Sequence, residues 1–370
     1  MTSKQELKFI VWADTHWDKF GAKCVTIQDT DQAERAIFQR AKEGQFDFTL
    51  FCGDRYLKRE PDDEVKVRAD RIIFDYVNGQ NIPHYHLIGN HDWVDNTRRW
   101  HTAESLKLFN NVFVMDQQKS YHFSDMCLIH SLPADVELDL SQFKFDNNKL
   151  NIFAFHDTVR GTYMDEDRKM KFENGIALEA FDIPQFDIVF AGDIHIRQKF
   201  PLMNTRGGYL GSLVQRTRAD ANKPRGWTEV RAYRDANNCP WNFDIKFVPT
   251  SNLFTRLVFE VGNATKFGEL FLDPNLLTDQ LVEVKLCGNK VNVDRMADDE
   301  SWKKLEKTCQ ARKIDVIRAY ETEQSQVVVD LTASDGIIDD LELYLKSKFS
   351  NTGSIKLETI VETVKKLKEN

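Results

Sequence analysis

Carboxylates and histidines recur in five short motifs between residues 14 and 195 of this 370-residue chain. In order they read Asp14-x-His16, Gly53-Asp54, Gly89-Asn90-His91-Asp92, His156 and Gly192-Asp193-Ile194-His195. Carboxylate, imidazole and amide are the donors that suit divalent cations such as Mn(II) and Mg(II). Two such cations roughly 4 Å apart activate water for in-line attack on phosphorus and stabilise the departing oxygen. Asp54 is the natural bridge between them. Asp14, His16 and His195 would complete one site, and Asn90, His156 and Asp193 the other. His91 would then contact the substrate phosphate and assist the leaving group, with Asp92 orienting it.

These residues must be brought together by the elements that carry them. Each motif sits at or just after the end of an apolar, β-branched or aromatic run: LKFIVWAD, FDFTLFCGD, HYHLIGNHD, LNIFAF and FDIVFAGD. Such runs read as buried strands, so the polar residues should gather on one rim of a sheet. Between the first three runs lie two helical stretches, Asp31 to Glu43 and Asp62 to Asn78. The second carries Val65, Ala69, Ile72, Ile73 and Tyr76 at helical spacing, an apolar stripe with core packing and an interface as its two alternatives. Asn96-Thr97 precedes a short helix through Phe109, after which strands dominate as far as Val248. The expected class is α/β, a four-layer α/β/β/α sandwich over residues 1–250. A break at Pro249-Thr250-Ser251-Asn252 opens a smaller α+β unit, 251–334. Its strands are RLVFEVG, LVEVKLCG, IDVIRAY and QVVVDL, with a helix from Asp298 to Lys313. Residues 335–370 read as a charged helical tail.

Composition narrows the class. With 41% hydrophobic and 29% charged residues the chain can bury a large core and fits a soluble globular protein. The apolar run Phe9 to Ala13 is too short for a signal-peptide core or a membrane span. Six cysteines, Cys24, Cys52, Cys127, Cys239, Cys287 and Cys309, form no CxxC pair, which points to a reducing, intracellular setting. A net charge of −8 argues against non-specific DNA binding by bulk charge. Bound cations would offset part of that charge. Arg98 and Arg99 beside the Gly89–Asp92 motif, and Arg216 and Arg218 beyond Gly211-Ser212, are candidates for nucleic-acid backbone contacts. His84, His86, His101, His122 and His130 fall in strand or helix patterns and read as structural.

The set D-x-H, GD, GNHD, H and G-x-x-H resembles the calcineurin-like metallophosphoesterase superfamily, and more narrowly the SbcD nuclease family. NIFAFHDTVRG and GDIHIRQ followed by GGYLGSLVQRT carry the narrower likeness, which is specific over residues 7 to 218. The resemblance implies a metallophosphoesterase sandwich with a DNA-binding capping domain. It implies a homodimeric, Mn(II)-dependent DNA exonuclease and endonuclease holding two ions, with Mg(II) as the alternative metal. C-terminal helices would dock on an SMC-like SbcC-type ATPase in double-strand-break repair. The setting would be the cytoplasm, or the host-cell cytoplasm for a phage form, and no membrane. Three positions depart from the family pattern. Asp193 replaces the first histidine of G-H-x-H, Leu57 stands where relatives often carry His or Asp, and Leu210 replaces a proline. Two rivals follow: a small-substrate phosphatase or cyclic phosphodiesterase on the same scaffold, and an assembly component with a weakened metal site.

Overall fold

The computed structural model of the chain describes residues 5–19, 26–80, 82–164, 170–200, 206–216, 220–236, 239–250, 253–261, 277–278 and 280–320. The expected alternation opens the fold: β1 (Gln5–Trp12), α1 (Ile27–Glu43), β2 (Phe48–Cys52), α2 (Asp63–Gln80), β3 (His84–Leu87) and β4 (Val112–Met115). The first helix starts four residues before the expected Asp31. Asp29 reaches back to accept from the Thr26 backbone N–H at 2.8 Å, which fixes the first turn there. The helix expected before Phe109 is a single 3-10 stretch, Glu104–Leu108.

Next come β5 (Lys119–Ser124), β6 (Cys127–Leu132), β7 (Leu150–His156), β8 (Ile188–Gly192), β9 (Gln198–Lys199), β10 (Gly207–Tyr209), β11 (Gly226–Arg234) and β12 (Asn242–Pro249). Two six-stranded sheets result, ordered β12-β11-β1-β2-β3-β4 and β5-β6-β7-β8-β10-β9. Strands β1 to β4 run parallel in the first, and β6, β7 and β8 run parallel in the second. Their carboxyl ends, where ligands bind in open α/β sheets, therefore form a rim on each sheet.

The sheets face each other across Phe9, Leu50, Leu87 and Val230 on one side and Ile129, Ile152 and Phe190 on the other, all buried. On the outer face of the first sheet, Ile37 and Phe38 of α1 and Ile72 and Ile73 of α2 pack on Ile10, Trp12 and Phe51. The outer face of the second, Phe153, Phe155 and Val189, is covered by Phe143, Phe181, Phe186 and Phe200. The helical part of that cover, among the described residues, is 3-10: Leu140–Gln142 and Leu178–Ala180.

A separate small core follows. It is built from β13 (Phe254–Val261), β14 (Leu281–Gly288), α3 (Lys290–Ala297), α4 (Ser301–Thr308) and β15 (Lys313–Tyr320), with sheet order β13-β14-β15. Val284, Leu286, Val293, Met296 and Trp302 fill it. The helix read from Asp298 to Lys313 is the shorter α4, and α3 adds a second helix that the sequence reading lacks. This cap is tied to the sandwich, both lying in one compact unit that ends at Ala319. The Arg312 guanidinium donates twice to the Asp29 carboxylate, at 2.7 and 2.6 Å. The backbone N–H groups of Leu253 and Phe254 both donate to Gln215 Oε1 at 2.7 Å. The QVVVDL run, the 335–370 tail and Arg218 lie outside the described residues. No helix among the described residues is long and apolar enough to cross a membrane.

Candidate metal centre

The two rims converge at one point. Asp14 and His16 follow β1, Asp54 follows β2, Asn90 and His91 follow β3, His156 ends β7, and Asp193 and His195 follow β8. Asp14, His16, Asp54 and Asp193 all take positive φ, from 49° to 86°, a conformation non-glycine residues rarely hold outside constrained sites. Gly53 lies at φ 90°, and a Cβ there would stand 2.2 Å from His156 Nδ1. A Cβ on Gly192 would stand 2.1 Å from the Cys52 carbonyl oxygen and 2.5 Å from the same ring nitrogen. Glycine before each aspartate thus lets the two sheets meet closely enough to share ligands.

Asp54 is the hub. Its carboxylate lies 3.3 Å from His156 Nε2, 3.7 Å from His16 Nε2 and 4.0 Å from His91 Nε2. His16 Nε2 and His195 Nε2 stand 2.8 Å apart, and His156 Nε2 lies 3.2 Å from Asn90 Oδ1. Three groups of donors are close enough to hold a cation: Asp14 with His16 and His195, His16 with Asp54 and His91, and Asp14 with Asp54 and His156. The first is the set expected from sequence. Asp14 Oδ2 and His16 Nδ1 are buried without a hydrogen-bond partner, so the donor set suits a cation that the protein itself does not replace.

Burial raises the Asp14 carboxyl well above its usual range, with Asp54 and Asp193 adding to the rise. Burial also acts to raise Asp54, but the charge and hydrogen bond of His156, with His16 and His91, hold it well below. His16 is pushed well down by burial. For His156, burial is outweighed by Asp54, Asp14 and Asp193, and its imidazole rises well above the usual value. Without cations the centre thus keeps its charge balance through protons, which a metal would displace.

Backbone carbonyls fix two of the rings. His156 Nδ1 donates to the Cys52 carbonyl at 2.7 Å, and His91 Nδ1 donates to the Leu57 carbonyl at 2.7 Å. In each, Nε2 is left facing the centre. Asp92 does not orient His91, contrary to the sequence reading. Its carboxylate accepts from the backbone N–H groups of Asp54 at 3.0 Å, Arg55 at 3.0 Å and Gly89 at 2.9 Å. A carboxylate buried among three such donors has no share left for the ring, and it holds the loop that carries Asp54. Asp193 is in none of the three donor groups: its Oδ2 accepts from Thr158 Oγ1 at 2.9 Å, while its backbone N–H donates to Asp14 Oδ1 at 3.1 Å.

Sequence reasoning missed what stands behind the bridge. Arg55 is wholly buried, its guanidinium forked onto Glu34 of α1 at 2.5 and 3.1 Å, and Trp17 Nε1 donates to the same carboxylate at 3.0 Å. The available signal was a charged residue directly after Asp54, where a buried strand end leaves no solvent.

Among the described residues the three candidate arginines part company. Arg98 and Arg99 are exposed, the first donating to the Asp135 carbonyl. Arg216 is not in a solvated loop: it is 6% exposed, and burial lowers its guanidinium to about 10.

Residues 7–197 match the family model described as calcineurin-like phosphoesterase. Among known proteins the chain is similar to the D component of the nuclease SbcCD from Staphylococcus epidermidis, 23% identical over 245 residues that cover 60% of this chain and 65% of that protein. The same component from Staphylococcus saprophyticus is 23% identical over 248 residues, with the same coverage. The chain thus spans 65% of the length of these relatives. Among solved structures it is similar to a dimetal phosphatase from Danio rerio, with a TM-score of 0.37, 9% identity, and coverage of 66% of this chain and 99% of that one. A putative 5'-nucleotidase from Staphylococcus aureus has a TM-score of 0.40 and 14% identity, covering 66% of this chain and 54% of that one. The span matched by the family model contains all five motifs and stops short of Arg216.

Proposed function

Because this chain belongs to the calcineurin-like phosphoesterase family, whose fold implies divalent metal ions, we propose that it is a Mn(II)-dependent DNA nuclease of the SbcD type. The observation that carries the reading is the buried Asp54 carboxylate, with the imidazoles of His16, His91 and His156 each within 4.0 Å of it. Bound ions would activate water and withdraw charge from phosphorus. Asp54 would be shared between two Mn(II) or Mg(II) ions. Asp14, His16 and His195 would hold one, and His156, Asn90 and Asp193 the other.

The rest belongs to the side chains. His91 presents Nε2 to the centre while its side chain stays 41% exposed, which suits a group that meets substrate and passes a proton to the leaving oxygen. Its Nδ1 bond to Leu57 keeps the ring from turning away. The exposed Arg98 and Arg99 would contact DNA phosphates. The similarity to the D component of SbcCD and the separate cap favour DNA over a small ester as substrate. The same similarity is the ground for a homodimer and for an SbcC-type ATPase partner.

The test is cleavage of end-labelled linear and circular DNA against small phosphate esters, with Mn(II) and with Mg(II). DNA cleavage is expected. Turnover of small esters alone would sink the nuclease in favour of a phosphatase. Fewer than two metals per chain at saturating Mn(II) would mark a weakened site.

A further inference from the structure

Arg216 brings a positive charge to the loop beside the centre that none of the five ligand motifs accounts for. It is 6% exposed, and its guanidinium makes no hydrogen bond to any described residue; only its backbone N–H is bonded, to Asp220 Oδ2 at 2.8 Å. Its two carboxylate neighbours are engaged elsewhere. Asp220 is held by Arg225 at 2.5 Å, and Asp18 lies 3.3 Å from Lys58 Nζ.

The loop that carries it is stitched to the ligand loops. Ser212 N–H donates to the His195 carbonyl at 3.2 Å, and Leu213 N–H to the Asp14 carbonyl at 3.4 Å. The adjacent Gln215 amide donates to the carbonyls of Asp220 and Lys223 at 2.9 and 3.0 Å. A mostly buried guanidinium that is hydrogen-bonded to no protein group is stabilised when an anion comes to it. A guanidinium fork matches the spacing of two phosphate oxygens.

We propose that Arg216 is the anion-gripping residue of this metal centre, its guanidinium binding the non-bridging oxygens of a substrate phosphate on the His16–His195 side. The proposal rests on the phosphoesterase reading of the site and adds the group that selects phosphate. Because Gln215 also receives the first N–H groups of the cap, cap and grip share one anchor.

The experiment titrates the Mn(II)-loaded full chain with inorganic phosphate by calorimetry and counts metals per chain. For Arg216→Gln the phosphate Kd rises roughly 10- to 100-fold while the metal count stays that of the wild type. Arg216→Lys, which keeps the charge and loses the fork, falls between. Equal phosphate affinity in the wild type and Arg216→Gln overturns the proposal, and so does loss of metal in that variant. If the glutamine variant does not fold, the lysine variant decides, with unchanged affinity overturning it. Arginine-dependent phosphate binding in a wild type that cleaves no DNA supports the grip and removes the nuclease reading.

Discussion

The carboxylate of Asp92 gathers the backbone of both loops that flank the centre, so its loss should be felt at Asp54 before it is felt at His91. Asp92→Ala leaves buried N–H groups without an acceptor and costs on the order of 3 kcal/mol, read by urea unfolding. The metal count should fall with it; a variant that keeps full stability and metal would show that the loops stand unaided. Asp54→Ala and His91→Ala should abolish DNA cleavage while the circular-dichroism spectrum persists. The losses should differ in kind: the first removes bound metal, the second keeps it and lowers kcat about 100-fold or more. Full activity in either sinks the mechanism. The ligand types were legible because each sits in a short motif at the end of an apolar run. The groups that aim them were not, because the Cys52 and Leu57 carbonyls belong to the end of β2 and the loop after it and are the same in every residue.

The strands were legible for the same reason the motifs were: period and composition are local. Pairing is not, and nothing local announces that β11 lies between β1 and β12 or that β9 exists. The start of α1 lies before its apolar stripe because Thr26 and Asp29 act through a turn. That turn also holds the cap. Arg312→Gln should cost about 1 kcal/mol, discounted for partial exposure, and should speed amide exchange in β13 to β15. Unchanged exchange would mean that the Gln215 contacts alone seat the cap. Buried histidines on the strands set an acid limit. His130 of β6 lies between Ser120 Oγ at 2.8 Å and Asn151 Oδ1 at 3.0 Å, and burial lowers it to about 4. His84 and His86 of β3 are pushed well down too. The unfolded chain takes up protons at an ordinary value of about 6.5, before the folded one can. The contribution of these three histidines is therefore flat above that value and lost as pH falls from it towards 4. The slope should flatten in His130→Gln, which removes about 3 kcal/mol of the linkage at pH 4; an unchanged slope would assign the effect elsewhere.

Across the whole molecule the centre joins the two sheets, since its donors come from both. Saturation with Mn(II) at a hundred times Kd should add about 2.7 kcal/mol, seen as a rise of roughly 3–5 °C in melting temperature that EDTA reverses. A melting temperature indifferent to metal and chelator would mean that no cation binds the folded chain. One further consequence concerns synthesis. Strand β1 has two edges: one is taken by β2, close behind it, and the other by β11, with Gln5 opposite Arg234. The residues that pair there are 229 positions apart. At about 5–20 residues per second, a ribosome takes on the order of 10–45 s to supply the second partner. Until then the first strand of the protein displays an unsatisfied edge, and a nascent chain stalled before residue 226 would offer that edge to any neighbouring strand on the same polysome.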